Sequence, residues 1–232
     1  MKVIDLSDKN LAVVLVSGGL DSCVTMAMAM EEHSVALLHV GYGQRTQTRE
    51  YNSFRAIARF YSIPETRILT VELDFLRKIG GSSLTDRNIP VDKEEKDSAN
   101  VSIPTSYVPF RNTHLLSMAV SWAETINAES VYIGAVQQDT PDYPDCRAEY
   151  YKAYNKLVDV GTKPSTNIKV ITPLLDMSRS EIVKKGIEIG APLQLSWSCY
   201  ERNDKACGRC QSCHLRLKAF EEAGIKDKLD YI

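Results

Sequence analysis

The chain has 232 residues, a formal net charge of −2, 44% hydrophobic and 25% charged residues, the make-up of a globular protein of one or two domains. It has no basic excess to attract a phosphate backbone over a large face, which speaks against a stable nucleic acid partner. There is no apolar run of about 18 residues and the N-terminus is too polar for a signal peptide, so a cytoplasmic protein without a membrane partner is expected.

In chain order, the apolar run 11–16 predicts a first strand that ends in a glycine turn, followed by a nearly all-apolar, buried helix over 23–31. Residues 35–40 read as a second strand, 49–61 as a helix closed off by Pro64, and 67–71 as a third strand. From 80 to 102 the chain turns polar without a clear period, which predicts a mobile loop. Asn112 can cap a helix over 113–126, a strand over 130–134 ends in glycine, and 147–160 is helical in pattern. Residues 169–172 read as the last strand, Ser178-x-x-Glu181 as a capping box opening a helix that Gly190 can end, and 211–223 as a short helix. This alternation predicts an α/β, Rossmann-like parallel sheet of about five strands with helices on both faces. The expected domains are a nucleotide-binding unit over 1–192 and a metal-binding helical appendage over 193–232.

The glycine turn carries the strongest chemical signal. Ser17, Gly18, Gly19, Leu20, Asp21 and Ser22 stand where a strand gives way to a helix, and such a turn leaves helix N–H groups free to hold an anion. A Gly-Gly turn needs no ligand, but here the strand, both serines and the acid fall in place together. The spacing is neither G-x-G-x-x-G nor G-x-x-x-x-G-K-[ST]. It resembles the pyrophosphate loop S-G-G-x-D-S of the ATP pyrophosphatases, which cleave ATP between the α and β phosphates. That resemblance implies a nucleotide site formed by Val16, Ser17, Gly18, Gly19, Leu20, Asp21, Ser22, Cys23 and Val24.

Four of the six cysteines fall in the pattern Cys199-x7-Cys207-x2-Cys210-x2-Cys213, with Gly208 permitting a tight turn. Four soft ligands favour one structural zinc ion per chain. An iron–sulfur cluster and four unligated thiols are the competing readings, and His214 is a minor alternative ligand. The first finds less support, because the isolated cysteine lies upstream of the C-x2-C-x2-C run.

Ligands of open α/β sheets sit beyond the carboxyl ends of the strands, which directs attention to three further loops. These are Gly41 to Arg45, Tyr107 to Asn112, and Asp139 to Arg147. Each residue has a plainer role open to it: Arg45 and Arg111 as surface charges, Tyr42 and Tyr143 as packing, Cys146 as a small buried filler. Taken with the first loop and the cysteines, they resemble the 7-cyano-7-deazaguanine synthases of queuosine biosynthesis over nearly the whole chain. The strings that carry the resemblance are 17–22, Tyr-Gly-Gln-Arg at 42–45, Val-Pro-Phe-Arg-Asn at 108–112, Asp-Tyr-Pro-Asp-Cys-Arg at 142–147, Thr-Pro-Leu at 172–174 and Trp-Ser-Cys at 197–199. Thr46 stands where many relatives have histidine, and Phe110 where they have a small residue.

The resemblance implies an ATP-dependent ligase that converts 7-carboxy-7-deazaguanine and ammonia to the nitrile through an adenylated acid and an adenylated amide, releasing AMP and pyrophosphate. It further implies Mg²⁺ travelling with ATP, a homodimer, and catalytic roles for Asp21 with the metal and for Arg111 and Arg147 at phosphate or carboxylate. Tyr42, Gln44, Arg45, Asn112, Tyr143 and Asp145 are the implied substrate contacts, Asp145 on the guanine-like edge. No glutaminase segment is visible, so free ammonia is the expected nitrogen donor. Two other functions compete: a tRNA-thiolating enzyme of the same superfamily and a zinc-dependent nucleic-acid-binding protein.

Overall fold

The computed structural model describes residues 10–92, 103–137 and 143–232. Five parallel strands, β1 (Leu11–Leu15), β2 (Ser34–Gly41), β3 (Ile68–Glu72), β4 (Ser130–Tyr132) and β5 (Lys169–Ile171), form one sheet in the order β3-β2-β1-β4-β5. Among the described residues, seven α-helices accompany it: α1 (Leu20–Glu32), α2 (Gln47–Phe60), α3 (Asp74–Ile79), α4 (Arg111–Thr125), α5 (Ala148–Gly161), α6 (Arg179–Glu188) and α7 (Gln211–Ala223).

The all-apolar β1 follows from its place at the centre. With side chains alternating across the pleat, Ala12, Val14 and Val16 enter one core with α1, α2 and α6, while Leu11, Val13 and Leu15 enter the other with α4 and α5. A strand buried on both faces has no solvent side to write as polar. The chain leaves β1 toward β2 on one side, and β4 lies on the other, so the strand order reverses between β1 and β4. The crevice at their carboxyl ends is where an open sheet takes its ligand.

Two details fix that crevice. Gly134, just past β4, approaches the N-terminus of α1 so closely that a Cβ there would lie 3.0 Å from the Asp21 carbonyl oxygen. On the β5 side, α6 opens on the predicted capping box: Ser178 Oγ accepts from the Glu181 amide at 3.3 Å, and the Glu181 carboxylate accepts from the Ser178 amide at 2.8 Å.

The sequence pattern misses α3. That helix buries only Leu76 while Phe75 and Ile79 stay exposed, so six residues carry no apolar period. Within the long polar stretch, 80–92 holds neither helix nor strand, and 93–102 lies outside the described residues.

Toward the C-terminus, Leu193, Ala219 and Phe220 join the same core as α1 and α6, so α7 packs onto the sheet's helical layer. Trp197, Ala206 and the four cysteines form a small core of their own with Leu229 and Tyr231 against it. Among the described residues, no helix is long and apolar enough to cross a membrane.

Candidate active site and metal centre

Gly18 has φ +94°, and a Cβ on it would collide with the Glu50 carbonyl oxygen and stand 2.9 Å from the Phe54 amide. Only glycine lets the turn press against α2 in this way. The turn is pinned on all sides. The Val16 amide donates to the Leu38 carbonyl (2.9 Å), His39 Nδ1 lies 2.9 Å from the Val16 carbonyl, and the Trp197 amide donates to the Gly18 carbonyl at 2.8 Å. Ser17 Oγ accepts from the Gly19 amide (3.2 Å) and lies 3.1 Å from Ser22 Oγ, which itself donates to the Gly19 carbonyl (3.0 Å).

Gly19, at the N-cap of α1, provides no side-chain cap. The first-turn amides and the positive end of the helix dipole together make an anion site at the crevice. Leu20, Cys23 and Val24 turn their side chains into the core, and Cys23's burial pushes its thiol up to about 12. Asp21 pairs with Arg179, the first residue of α6, at 3.6 Å. Sequence reasoning overlooked Arg179, although it sits just past the carboxyl end of β5, where the same sheet-edge rule applies.

A second group of residues surrounds the N-terminus of α4, where Phe110 takes a left-handed conformation (φ 59°). Arg111 Nη1 donates to the Tyr42 hydroxyl at 3.1 Å. Burial opposes the Arg111 charge, but Tyr42, Asp145 and Cys146 outweigh it and hold the pKa above the ordinary guanidinium value. Among the described residues, Arg111 Nε is buried without a hydrogen-bond partner, a donor left for a ligand to satisfy. Asn112 donates through its amide to Asp145 Oδ2 (3.0 Å) and through Nδ2 to the Asp145 carbonyl (2.9 Å). The Asp145 carboxylate thus caps α4 from another segment. Tyr143 Oη lies 2.7 Å from Ser106 Oγ.

Other predicted contacts are turned toward protein groups. Gln44 accepts from the Tyr42 amide (2.9 Å) and donates to Glu50 Oε2 (3.0 Å). Thr46 Oγ1 donates to the other Glu50 oxygen at 2.8 Å, and burial raises the pKa of that carboxyl despite both donors. Arg45 donates to the carbonyls of Ser83 (2.5 Å), Asp86 (3.1 Å) and Ile89 (2.7 Å), tying down the segment after α3. Arg147 is largely exposed at the start of α5, 3.8 Å from Glu149. Asp139 and Asp142 lie outside the described residues.

Cys146 lies within electrostatic reach of both the loop and the α4 group. Asp21 and Arg111 both act electrostatically on Cys146, whose thiol is pushed up to about 11, by burial first and then by Asp145. Arg111 and Arg179 both act on Tyr200, which packs beside Tyr42. Tyr200 carries no motif, and only its place next to Cys199 could have pointed to it.

The sulfur atoms of Cys199, Cys207, Cys210 and Cys213 are buried and all lie within 4.8 Å of one another. Cys207 and Cys213 are 3.9 Å apart, close to the roughly 3.8 Å edge of a tetrahedron with 2.3 Å zinc–sulfur bonds. Amides of Glu201 and Cys207 donate to Cys199 Sγ (both 3.4 Å), and that of Cys210 to Cys207 Sγ (3.3 Å). Such donors stabilise thiolate charge and orient the ligands, so the set fits a single metal ion.

The profile of the family described as queuosine biosynthesis protein QueC matches residues 11–224. The chain belongs to that family. Among its relatives, a protein of Chlorobium chlorochromatii named 7-cyano-7-deazaguanine synthase is 55% identical over 221 residues, 95% of each chain. One of the same name from Chlorobium phaeobacteroides is also 55% identical, over 95% of this chain and 96% of its own. A solved 4-thiouridine synthetase in complex with RNA and bound ATP shares the fold: TM-score 0.50 at 19% identity, over 93% of this chain and 50% of that one. Family membership fits the loop, the α4 group and the four cysteines, all of which fall within the matched span.

Proposed function

We propose that the chain is an ATP-dependent carbon–nitrogen ligase that makes 7-cyano-7-deazaguanine from 7-carboxy-7-deazaguanine and ammonia. The observation that carries this reading is the uncapped α1 N-terminus in the Ser17–Ser22 loop, with Asp21, Arg111 and Asp145 all within electrostatic reach of Cys146, in a chain 55% identical to proteins named for that synthesis.

The chemistry explains two uses of one nucleotide site. A carboxylate must lose both oxygens to become a nitrile, and neither leaves as oxide or hydroxide near neutral pH. In the first half, the carboxylate attacks the α-phosphorus, pyrophosphate departs, and ammonia displaces AMP to give the amide. In the second half, the amide oxygen is adenylated and AMP is eliminated. The loop amides and serine hydroxyls receive the pyrophosphate charge as it develops. Arg111, whose charge its neighbours reinforce, is the residue assigned to neutralise the substrate carboxylate or the α-phosphate. Most of the acceleration comes from positioning and electrostatics, because ATP supplies the leaving group.

Asp21, the loop's carboxylate, is the residue that would hold a Mg²⁺ ion carried with ATP, and Arg179 is its partner in this structure. Zinc, one ion per chain, is the metal proposed for the four cysteines, as a closed thiolate set that staples the 193–232 appendage. Substrate contacts by Tyr42, Gln44, Arg45, Asn112, Tyr143 and Asp145, phosphate contact by Arg147, free ammonia as nitrogen donor, a cytoplasmic homodimer and no stable nucleic acid partner complete the proposal. Its test is Asp21→Ala, which should abolish ATP-dependent pyrophosphate release while leaving the fold intact by circular dichroism. Persistent release would remove Asp21 from the mechanism.

A further inference from the structure

We infer that Trp197 is a positioning residue through which the four-cysteine centre sets the conformation of the phosphate loop. The metal centre would then act on nucleotide binding as well as on the stability of the appendage. The inference rests on the proposed reading of the Ser17–Ser22 loop as the ATP site.

The argument begins with the Gly18 carbonyl. As a glycine, Gly18 takes φ +94° without strain, so its contacts select its conformation from several accessible ones, and among the described residues the donor to its carbonyl is the Trp197 amide, at 2.8 Å. The Trp197 carbonyl in turn lies 3.6 Å from where a Cβ on Gly19 would stand, so the segment runs directly along the glycine pair.

Trp197 is itself fixed from both sides. It is 2% exposed, its ring is packed in the core of the four cysteines, and its Nε1 donates to the Cys199 carbonyl at 3.0 Å. The Arg49 guanidinium covers the ring at 4.4 Å, joining the segment to the first turn of α2, whose next residue, Glu50, meets Gly18. One residue earlier, Ser196 Oγ accepts from Arg216 Nη1 of α7 at 2.8 Å. Cys199, two residues after Trp197, is one of the four clustered sulfurs. A rigid span of four residues therefore runs from α7 to the metal ligands and touches the loop midway.

Loss of the metal removes the bonds that hold Cys199 in place, and with them the restraint on the donor to Gly18. Because linkage is reciprocal, anything that orders the loop must also tighten the metal.

The experiment uses the full chain carrying Trp122→Phe, which leaves Trp197 as its single tryptophan. Zinc release to a chromogenic chelator and Trp197 emission are followed with and without inorganic pyrophosphate. The expected result is that saturating pyrophosphate shifts the emission and slows release several-fold. The metal-depleted chain, with its far-UV circular dichroism kept, should bind pyrophosphate about tenfold more weakly, within the usual range of coupling between sites. If the loaded chain binds pyrophosphate but emission and release do not respond, the inference is overturned and the nucleotide reading stands. If the loaded chain binds neither pyrophosphate nor ATP, the nucleotide reading itself falls. Where metal depletion unfolds the chain, Trp197→Phe decides. It should keep one zinc per chain and raise the KM for ATP several-fold with little change in kcat, and an unchanged KM overturns the inference.

Discussion

Arg111 donates through Nη1 to the Tyr42 hydroxyl at 3.1 Å, and its guanidinium carbon stands 5.7 Å from the centre of the same ring. This contact joins the loop after β2 to the N-terminus of α4. A lysine cannot reproduce both the planar guanidinium's bond to the hydroxyl and its place over the ring. Arg111→Lys should lower kcat/KM by about a hundredfold, in line with removal of one electrostatic donor, with the fold retained. Tyr42→Phe, which keeps the ring and loses only the hydroxyl, should cost about tenfold. Steady-state AMP release checks both, and equal losses would deny the hydroxyl its lesser role.

Gly18→Ala meets two penalties at once, a left-handed backbone and a Cβ driven into the Glu50 carbonyl. The first alone costs about 1–2 kcal/mol. The variant should lose measurable nucleotide binding and melt at a lower temperature than wild type. Calorimetry with ATP shows whether an alanine is tolerated.

Asp145 has a structural duty whatever else it does, because the buried Asn112 amide depends on its carboxylate. Asp145→Ala leaves that donor unsatisfied and should destabilise the chain by about 1–3 kcal/mol in urea unfolding. Asp145→Asn keeps an acceptor and should recover most of that stability. If it recovers stability without recovering substrate affinity, the base-recognition role gains direct support.

His39 is buried beneath the phosphate loop, stacked on Phe54 at 4.7 Å, and burial lowers its pKa from 6.5. Below pH 6.5 the unfolded chain therefore binds a proton that the folded chain refuses. Stability attributable to His39 is full above 6.5 and declines as pH falls from there toward the folded value. His39→Asn, whose amide can take over the contact with the Val16 carbonyl, should melt with a shallower pH dependence between 7 and 5.5. Parallel melting curves for both proteins would contradict the assignment.

The buried pair Arg216–Asp227, with side chains 2% and 4% exposed and 2.7 Å apart, anchors the C-terminal tail to α7. Burial opposes the Asp227 charge, yet the bonds from Arg216 and Tyr231 prevail and hold its pKa below 3.8. Its contribution is present above 3.8 and lost as pH falls through the folded value. Asp227→Ala strands the Arg216 charge and should cost about 3–5 kcal/mol, read by denaturant midpoint.

The sheet was legible because its strands obey two plain patterns, continuous apolar runs at the centre and glycine or proline at the exits. The Ser17–Ser22 loop and the four cysteines were legible because their spacing is itself the chemistry. Long-range partners were not. Arg45 stands in a short sequence string, while the carbonyls it holds lie 38 to 44 residues away. Glu50 reads as an ordinary polar helix position, although Gln44 and Thr46, six and four residues before it, both bind its carboxylate. Arg179 and Trp197 reach the loop from segments more than 150 residues downstream of it, a proximity that no local pattern encodes.

The most direct measurement is incubation of the purified chain with ATP, Mg²⁺, ammonium and 7-carboxy-7-deazaguanine, with product and nucleotide followed by mass spectrometry. Reuse of one nucleotide site predicts the nitrile, with two AMP and two pyrophosphate formed for each, and an amide that appears transiently and is consumed. Accumulation of the amide as the end product, or nitrile without AMP, would contradict the account.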